Sequence, residues 1–154
     1  MSDITARTAT THDVPRLLDW MVEFNRLEHI AWSRVTGETP LRKVIDDLAL
    51  GCVGVLERDR APIGYFVLTW GYDLEWDGRD AFLTELFLDA SARGRGLGRA
   101  CMERVEETAR THGVRALHLV VRHDNAAALR VYEERGFFAP PRLLMTKDLR
   151  DPQR

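Results

Sequence analysis

Residues 82–100 constrain what this chain can fold into more than any other stretch. An apolar, β-prone segment leads through a short turn into Arg93-Gly94-Arg95-Gly96-Leu97-Gly98-Arg99, and a helical pattern follows. Glycines let backbone N–H groups come close to a ligand, because no Cβ stands in the way. A helix start adds unpaired N–H groups and the positive end of the helix dipole. The stretch therefore predicts an anion site, most naturally for a phosphate or pyrophosphate, with arginine charge around it.

The composition indicates that any attraction for anions is confined to this loop and is not a property of the whole chain. The net charge of −2 over 154 residues gives no global attraction for nucleic acid or an anionic membrane, so neither is expected as a partner. Cys52 and Cys101 are far apart and form no CxxC pattern, which argues against a disulfide framework or a zinc site. The N-terminus has no apolar signal core, and no apolar run approaches the roughly 20 residues that span a bilayer. We therefore expect a cytoplasmic protein.

Hydrophobic periodicity and turn residues predict the order β-α-α-β-β-β-α-β-α-β. The segment 25–38 is either the end of the first helix or a loop, and the second helix is predicted to start near Thr39-Pro40. Leu97, Cys101, Val105 and Ala109 recur every four residues and predict one buried helical stripe. The predicted strands are 4–9, 52–57, 63–70, 81–88, 116–122, 137–138 and 143–149, and the later helices are 96–112 and 126–135.

This order predicts an α/β fold of the α+β kind. Antiparallel hairpin strands come first and a β-α-β crossover follows, so the central sheet should be mixed, mostly antiparallel, and covered by helices on both faces. The chain length suits one domain over residues 1–154, and residues 150–154 are predicted to form a loose polar tail.

Two common glycine-loop ligands do not fit the loop. A P-loop needs a lysine followed by serine or threonine to hold phosphate and magnesium, whereas Gly98 is followed by Arg99-Ala100. A dinucleotide-binding fingerprint needs a third small residue at fixed spacing, but an arginine stands there, and Cys101 stands there in the next register. That fingerprint also belongs to an early β-α unit, and this loop follows more than half of the chain.

Two blocks resemble the motifs of the GCN5-related N-acetyltransferases. The segment from Arg93 to Gly98 resembles the R/Q-x-x-G-x-G/A signature, and the segment from Asn125 through Tyr132 to Gly136-Phe137 resembles the N-x-x-A-x-x-x-Y helix with its Gly-Phe stop. The opening of the chain and its closing Met145-Thr146-Lys147-Asp148-Leu149 are also typical, so the resemblance covers essentially the whole chain. The short diamine and polyamine acetyltransferases are the branch that it resembles most.

The resemblance implies the family's fold, acetyl-CoA as co-substrate, a small-molecule amine as acceptor, and a homodimer. Backbone N–H groups of the glycine loop would hold the CoA pyrophosphate, and Asn125 would both cap the last helix and contact CoA; the alternative for Asn125 is a cap alone. Backbone groups of the preceding strand would bind the pantetheine amides and the thioester carbonyl. The implied cofactor-binding residues are Leu86, Phe87, Leu88, Arg93, Gly94, Arg95, Gly96, Leu97, Gly98, Arg99, Asn125 and Tyr132.

Tyr132 stands where the family places its general acid. A phenol can protonate the thiolate that leaves when an amine attacks a thioester, although a core tyrosine on an amphipathic helix is the alternative. An alkyl amine with a pKa of about 10.4 must first lose a proton, and Glu85 is the candidate base. Thr84 and Glu85 should point to opposite faces of their strand. If Glu85 points away, Glu28 or the acids within 73–80 remain, and activation by solvent without a single base competes.

The acceptor should meet an acidic and aromatic surface. Trp76 and Asp77 lie within the polar segment 70–80 and, with Glu28, are the candidate substrate-binding residues; a solvated hairpin loop is the alternative. The histidines show no helix-face pair of the HExxH kind, so no metal is expected. Two other functions stay open, namely acetylation of a protein N-terminus or lysine, and a non-catalytic CoA-binding regulatory module.

Overall fold

The computed structural model describes residues 3–150 and consists of one five-stranded sheet with helices on both faces. The strands are β1 Ile4–Thr8, β2 Gly51–Arg58, β3 Ala61–Asp73, β4 Gly78–Leu88 and β5 Ala116–Leu119. The α-helices are α1 Val14–Leu27, α2 Arg34–Asp46, α3 Leu97–Thr111 and α4 Ala126–Glu134. Among these residues, no helix is both long enough and apolar enough to cross a membrane.

The strands lie in the sheet in chain order, β1-β2-β3-β4-β5. The first three pairings are antiparallel, and β5 pairs parallel to β4 after the crossover through α3. A parallel neighbour needs such a crossover, since a tight turn can only reverse the chain. The predicted mixed, mostly antiparallel sheet is confirmed.

Each face of the sheet has its own apolar core. Helices α1 and α2 cover one face, where Leu17 and Leu18 pack with Val53, Val55 and Tyr65. Helix α3 covers the other face, where its buried residues pack with Leu56, Phe66 and Leu68. The predicted α3 stripe is confirmed, because Cys101, Met102, Val105 and Ala109 are its buried residues.

A β-bulge in β4 exchanges the two faces along that strand. Leu83 lies opposite Leu68 and Glu85 lies opposite Val67, so Thr84 is the extra residue. In a regular strand Leu83 and Glu85, two positions apart, would lie on the same face, but the bulge places them on opposite faces. Leu83 packs in the α3 core, whereas Glu85 contacts Tyr65 of the α1–α2 core.

Helix α2 begins earlier than predicted. It starts at Arg34 rather than near Thr39-Pro40, and Pro40 lies inside it. Ser33 supplies the cap, since its Oγ accepts a hydrogen bond from the Thr36 N–H at 3.2 Å. A side chain at Gly37 would overlap the Trp32 ring, so the first turn packs closely on the preceding loop.

The predicted strands at 137–138 and 143–149 are wrong, because the structure has no strand after α4 within residues 3–150. Leu143, Met145 and Leu149 are more than four-fifths exposed and pair with no other strand. Pro140 and Pro141 lack the N–H that a ladder needs. Strand β5 is also shorter than predicted and forms the edge of the sheet. Most of the predicted tail, residues 151–154, lies outside the described residues.

Candidate active site

Strands β4 and β5 separate halfway along β4. Their parallel pairing runs from Asp80 opposite Ala116 to Leu83 opposite Leu119 and stops, whereas β4 continues to Leu88. Backbone polar groups on the open side of β4 are therefore free of a strand partner and can bind an extended ligand. The parting lies beside Leu86, Phe87 and Leu88, whose backbone is the predicted site of the pantetheine arm.

The turn that connects β4 to the glycine loop is held by hydrogen bonds to the Asp89 side chain. Asp89 accepts hydrogen bonds from the Ser91 N–H at 3.0 Å and from the Trp20 indole N–H at 3.1 Å. Gly94 and Gly96 then adopt left-handed φ values of 70° and 69°. No atom lies within 4 Å of a Cβ built at either glycine, so the backbone conformation itself is what requires them.

The first turn of α3 faces the loop without a side-chain cap. Gly96 occupies the N-cap position and offers no oxygen to the helix N–H groups. These N–H groups can therefore donate to an anion, with the helix dipole in support. Gly98 brings α4 close, because a Cβ there would meet Val131 Cγ2 at 3.4 Å.

The loop arginines differ in what they contact. Arg93 turns back to the strand: its Nε donates to the Leu88 carbonyl at 2.7 Å, and its guanidinium lies 4.9 Å from the centre of the Phe87 ring. Arg95 and Arg99 have no ion-pair partner among residues 3–150. Arg93 therefore holds the loop against β4, and Arg95 and Arg99 are the arginines left to meet a phosphate.

Asn125 is the N-cap of α4. Its Oδ1 accepts a hydrogen bond from the Ala128 N–H at 3.2 Å, so the predicted cap is confirmed. The predicted contact with CoA remains a prediction.

Tyr132 is half-buried and packs against the α3 core. Its ring centre lies 5.7 Å from that of Phe137. Burial raises the pKa of the Tyr132 phenol, and the negative charge of Glu28 raises it further. The phenol is therefore protonated at neutral pH and can donate. Glu28, which directly follows α1, therefore lies within electrostatic range of Tyr132.

Glu85 points to the α1–α2 face because of the bulge. The Tyr65 hydroxyl donates to Glu85 Oε2 at 2.6 Å. Burial raises the pKa of Glu85, although the hydrogen bond from Tyr65 opposes the shift. A carboxylate with a raised pKa is a stronger base at neutral pH than an ordinary glutamate.

Tyr65 is a site residue that sequence reasoning missed. It is fully buried, and its ring stacks on Trp20 with centroids 6.2 Å apart and planes 12° apart. Strand alternation places Tyr65 on the inner face of β3, but its approach to Glu85 depends on the β3–β4 register and on the bulge. Neither can be read from the residues of one strand.

Trp76 and Asp77 lie at the other end of β4. They belong to the β3–β4 turn, where the Trp76 ring centre is 6.4 Å from that of His118 and Asp77 is 4.0 Å from Arg115. The strand from Gly78 to Glu85 spans roughly 23 Å. The structure thus leaves Trp76 and Asp77 distant from Glu85, beyond the opposite end of β4.

The family to which the chain belongs follows from its sequence and agrees with its fold. Strand β4 continues past the end of its pairing with β5 and leads through the glycine loop into a helix start without a side-chain cap. The chain belongs to the acetyltransferase (GNAT) family, whose model matches residues 15–137. It is therefore an N-acetyltransferase by family.

Relatives agree on the acetyltransferase class and differ in what they act on. Thialysine N-epsilon-acetyltransferase from Bos taurus is 28% identical over 138 residues, which cover 85% of this chain and 80% of that protein. Two other curated acetyltransferases match over only 20% and 39% of their own lengths.

Solved structures share the fold over nearly the whole chain. An integron cassette protein from the mobile metagenome of Cole Harbour Salt Marsh is 30% identical, with a TM-score of 0.81 over 96% of this chain and 92% of that one. The aminoglycoside N-acetyltransferase AAC(6')-Iy, solved in complex with CoA, has a TM-score of 0.77 over 97% of each chain. It is 14% identical, which shows likeness of fold alone.

Proposed function

We propose that this protein transfers an acetyl group from acetyl-CoA to the primary amine of a small cationic molecule, by direct attack. The parting of β4 and β5 is the observation that carries the proposal. Such an opening would give an extended thioester a strand edge to bind, with the glycine loop holding its phosphates and with Tyr132 and Glu85 as the proposed acid and base.

Acetyl-CoA would lie along this opening. The N–H groups from Arg93 to Arg99 would hold the pyrophosphate, with the Arg95 and Arg99 side chains nearby. The backbone of Leu86, Phe87 and Leu88 would bind the pantetheine amides and the thioester carbonyl, and Asn125 would contact CoA from the start of α4.

The reaction then needs three proton movements. Glu85, directly or through one water, takes a proton from the ammonium group of the acceptor. The amine lone pair attacks the thioester carbonyl carbon, so a C–N bond forms and a tetrahedral intermediate results. The C–S bond breaks next, Tyr132 donates its proton to the leaving sulfur, and the acylated nitrogen loses its remaining extra proton to the Tyr132 phenolate, directly or through water. The products are an N-acetyl amine and the CoA thiol.

A cationic acceptor fits the charges near the site. Glu28 lies within electrostatic reach of Tyr132 and offers a partner for an ammonium group. Trp76 and Asp77 can contribute only to an extended acceptor, because they lie roughly 23 Å along the strand from Glu85. The name of the thialysine acetyltransferase adds support for a small amine.

Thiol release from acetyl-CoA tests the proposal. The full chain is incubated with thialysine, diamines, polyamines and aminoglycosides, and in parallel with peptides that carry a free N-terminus or a lysine. We expect turnover with at least one small cationic amine. Turnover with peptides alone would indicate a protein acetyltransferase, and tight acetyl-CoA binding without turnover would indicate a regulatory module; either result overturns the proposal. The homodimer and the cytoplasmic location remain predictions, and light scattering tests the first.

A further inference from the structure

Three metal-ligating side chains meet at the end of β4 that is remote from the glycine loop. They are Asp73 at the end of β3, Asp80 in β4 and His118 in β5, and one ligand atom from each lies within 4.8 Å of the others. Among residues 3–150, this is the group of histidine, cysteine and acidic side chains that comes close enough to hold one ion. It shares no residue with the acetyl-transfer chemistry proposed above.

The register between β4 and β5 brings Asp80 and His118 together. Asp80 lies opposite Ala116 in β5, and Phe82 lies opposite His118. Alternation along each strand therefore brings His118 beside Asp80 on the same face, and His118 Nε2 is 3.3 Å from Asp80 Oδ2. Two ligands of a tetrahedral ion with bonds of about 2.0 Å are separated by about 3.3 Å. This pair is thus spaced as two ligands of one ion would be.

An unpartnered carboxylate oxygen of Asp80 is a second, independent indication of a bound cation. Its side chain is 17% exposed, and its Oδ1 atom is buried and has no hydrogen-bond partner among residues 3–150. The carboxylate lies tightly against β3, because a Cβ at Gly71 would overlap Oδ1. Buried carboxylate oxygens without a partner are rare and costly, and a bound cation would compensate this carboxylate.

The neighbouring arginines are engaged with other acids. Arg142 pairs with Glu75 at 2.9 Å, although its charge also acts on Asp73, and Arg115 lies 4.0 Å from Asp77. His118 is thus the nitrogen-bearing side chain in direct contact with Asp80. A cavity of about 490 Å³ lies alongside and is lined in part by Asp73, Trp76 and His118, which provides an entry path for an ion.

We propose that Asp73, Asp80 and His118 bind one divalent transition-metal ion, with Zn²⁺ preferred over Mg²⁺. An imidazole nitrogen with two carboxylate oxygens suits Zn²⁺, and solvent would complete a tetrahedron. Mg²⁺ prefers oxygen ligands and octahedral geometry. The ion would fasten the β3–β4 turn to the edge strand β5. This departs from the expectation of no metal, which considered histidine pairs on a helix, whereas these ligands come from three strands.

Calorimetric titration of the full chain, stripped with a chelator, tests the site. At about pH 7.5 we expect one Zn²⁺ per chain and much weaker Mg²⁺ binding. His118→Gln and Asp80→Asn should each weaken Zn²⁺ binding by at least about tenfold. His12→Gln, a change at an exposed histidine before α1, is the matched control and should bind as the wild type does.

Several outcomes would overturn the site. Absence of stoichiometric Zn²⁺ binding would leave Asp80 and His118 as an ion pair only, and equal affinity for Mg²⁺ would indicate a diffuse acidic surface. Loss of binding in His12→Gln but not in His118→Gln would place the ion elsewhere. Visible absorption of Co²⁺ bound to the wild-type protein is a second measurement, which does not depend on the variants being folded. A tetrahedral site of nitrogen and oxygen ligands gives visible absorption bands, whereas hydrated Co²⁺ gives only a weak band. Acetyl-transfer activity is not the readout, so failure of this proposal differs from failure of the proposed function.

Discussion

Tyr132 is the residue whose chemistry can be tested most directly. Tyr132→Phe removes the hydroxyl and keeps the ring that packs on Phe137. General acid catalysis typically contributes 10²- to 10⁴-fold, so we expect kcat to fall by about 10²-fold or more. The dissociation constant for acetyl-CoA should change little, which calorimetry checks beside the kinetics. A kcat equal to that of the wild type would remove Tyr132 from the mechanism.

Glu85 should control the acidic side of the pH–rate profile. Burial raises the pKa of Glu85, so the carboxylate that accepts the proton forms only above the usual range for glutamate. We expect kcat/KM of the wild type to fall as pH decreases through that raised pKa. Glu85→Gln should lower the rate and abolish this limb of the profile. Profiles recorded for both proteins with the best amine check this; if they superimpose, another group or solvent activates the amine.

Tyr65 shows how a neighbour can set the properties of a candidate catalytic residue. Its hydroxyl holds Glu85 at 2.6 Å, and Trp20 stacks on its ring. Trp20 in turn donates to Asp89 at the base of the glycine loop. One packed chain of side chains thus connects the candidate base to the loop that is predicted to bind phosphate.

At the scale of elements, the loop before α3 depends on backbone conformation. Gly96→Ala places a side chain at a φ of 69°, a left-handed conformation that costs about 1–2 kcal/mol. If the loop relaxes to avoid this strain, its N–H groups move, and acetyl-CoA affinity should fall by about tenfold. Fluorescence or calorimetric titration with acetyl-CoA measures the change.

Gly113 supplies a matched control at the other end of α3. It has a left-handed φ of 77°, and no atom lies within 4 Å of a Cβ built there, as at Gly96. Gly113→Ala should therefore cost comparable stability while leaving acetyl-CoA affinity unchanged. Equal loss of affinity in both variants would mean that the effect is general destabilisation, not a change in the phosphate loop.

At the scale of the whole molecule, acetyl-CoA should stabilise the folded protein. Binding to the native state alone adds about 2.7 kcal/mol at a ligand concentration of 100 times Kd. For a chain of 154 residues this predicts a rise in Tm of about 5–10 °C. Differential scanning fluorimetry measures it, and Tyr132→Phe should show a similar rise. No shift at saturating acetyl-CoA would contradict the assignment of the loop and the strand opening.

The predictions from sequence that succeeded rest on short-range physics. The glycine loop, the α3 stripe and the Asn125 cap each depend on residues within a few positions of one another, and all three are present. The start of α2 was wrong for a related reason. Pro40 reads as a helix start in isolation, but Ser33 caps the helix one and a half turns earlier.

The sequence by itself determined the order of elements from β1 to α4, the glycine loop before α3 and the family, because periodicity, caps and glycine conformations are local. Only the tertiary structure decided which way Glu85 points, since a one-residue bulge against β3 turns it toward Tyr65. It also brought Asp80 and His118 together across two strands and left 137–149 without a strand. These outcomes depend on register and on available partners, which belong to the assembled sheet and not to any one segment.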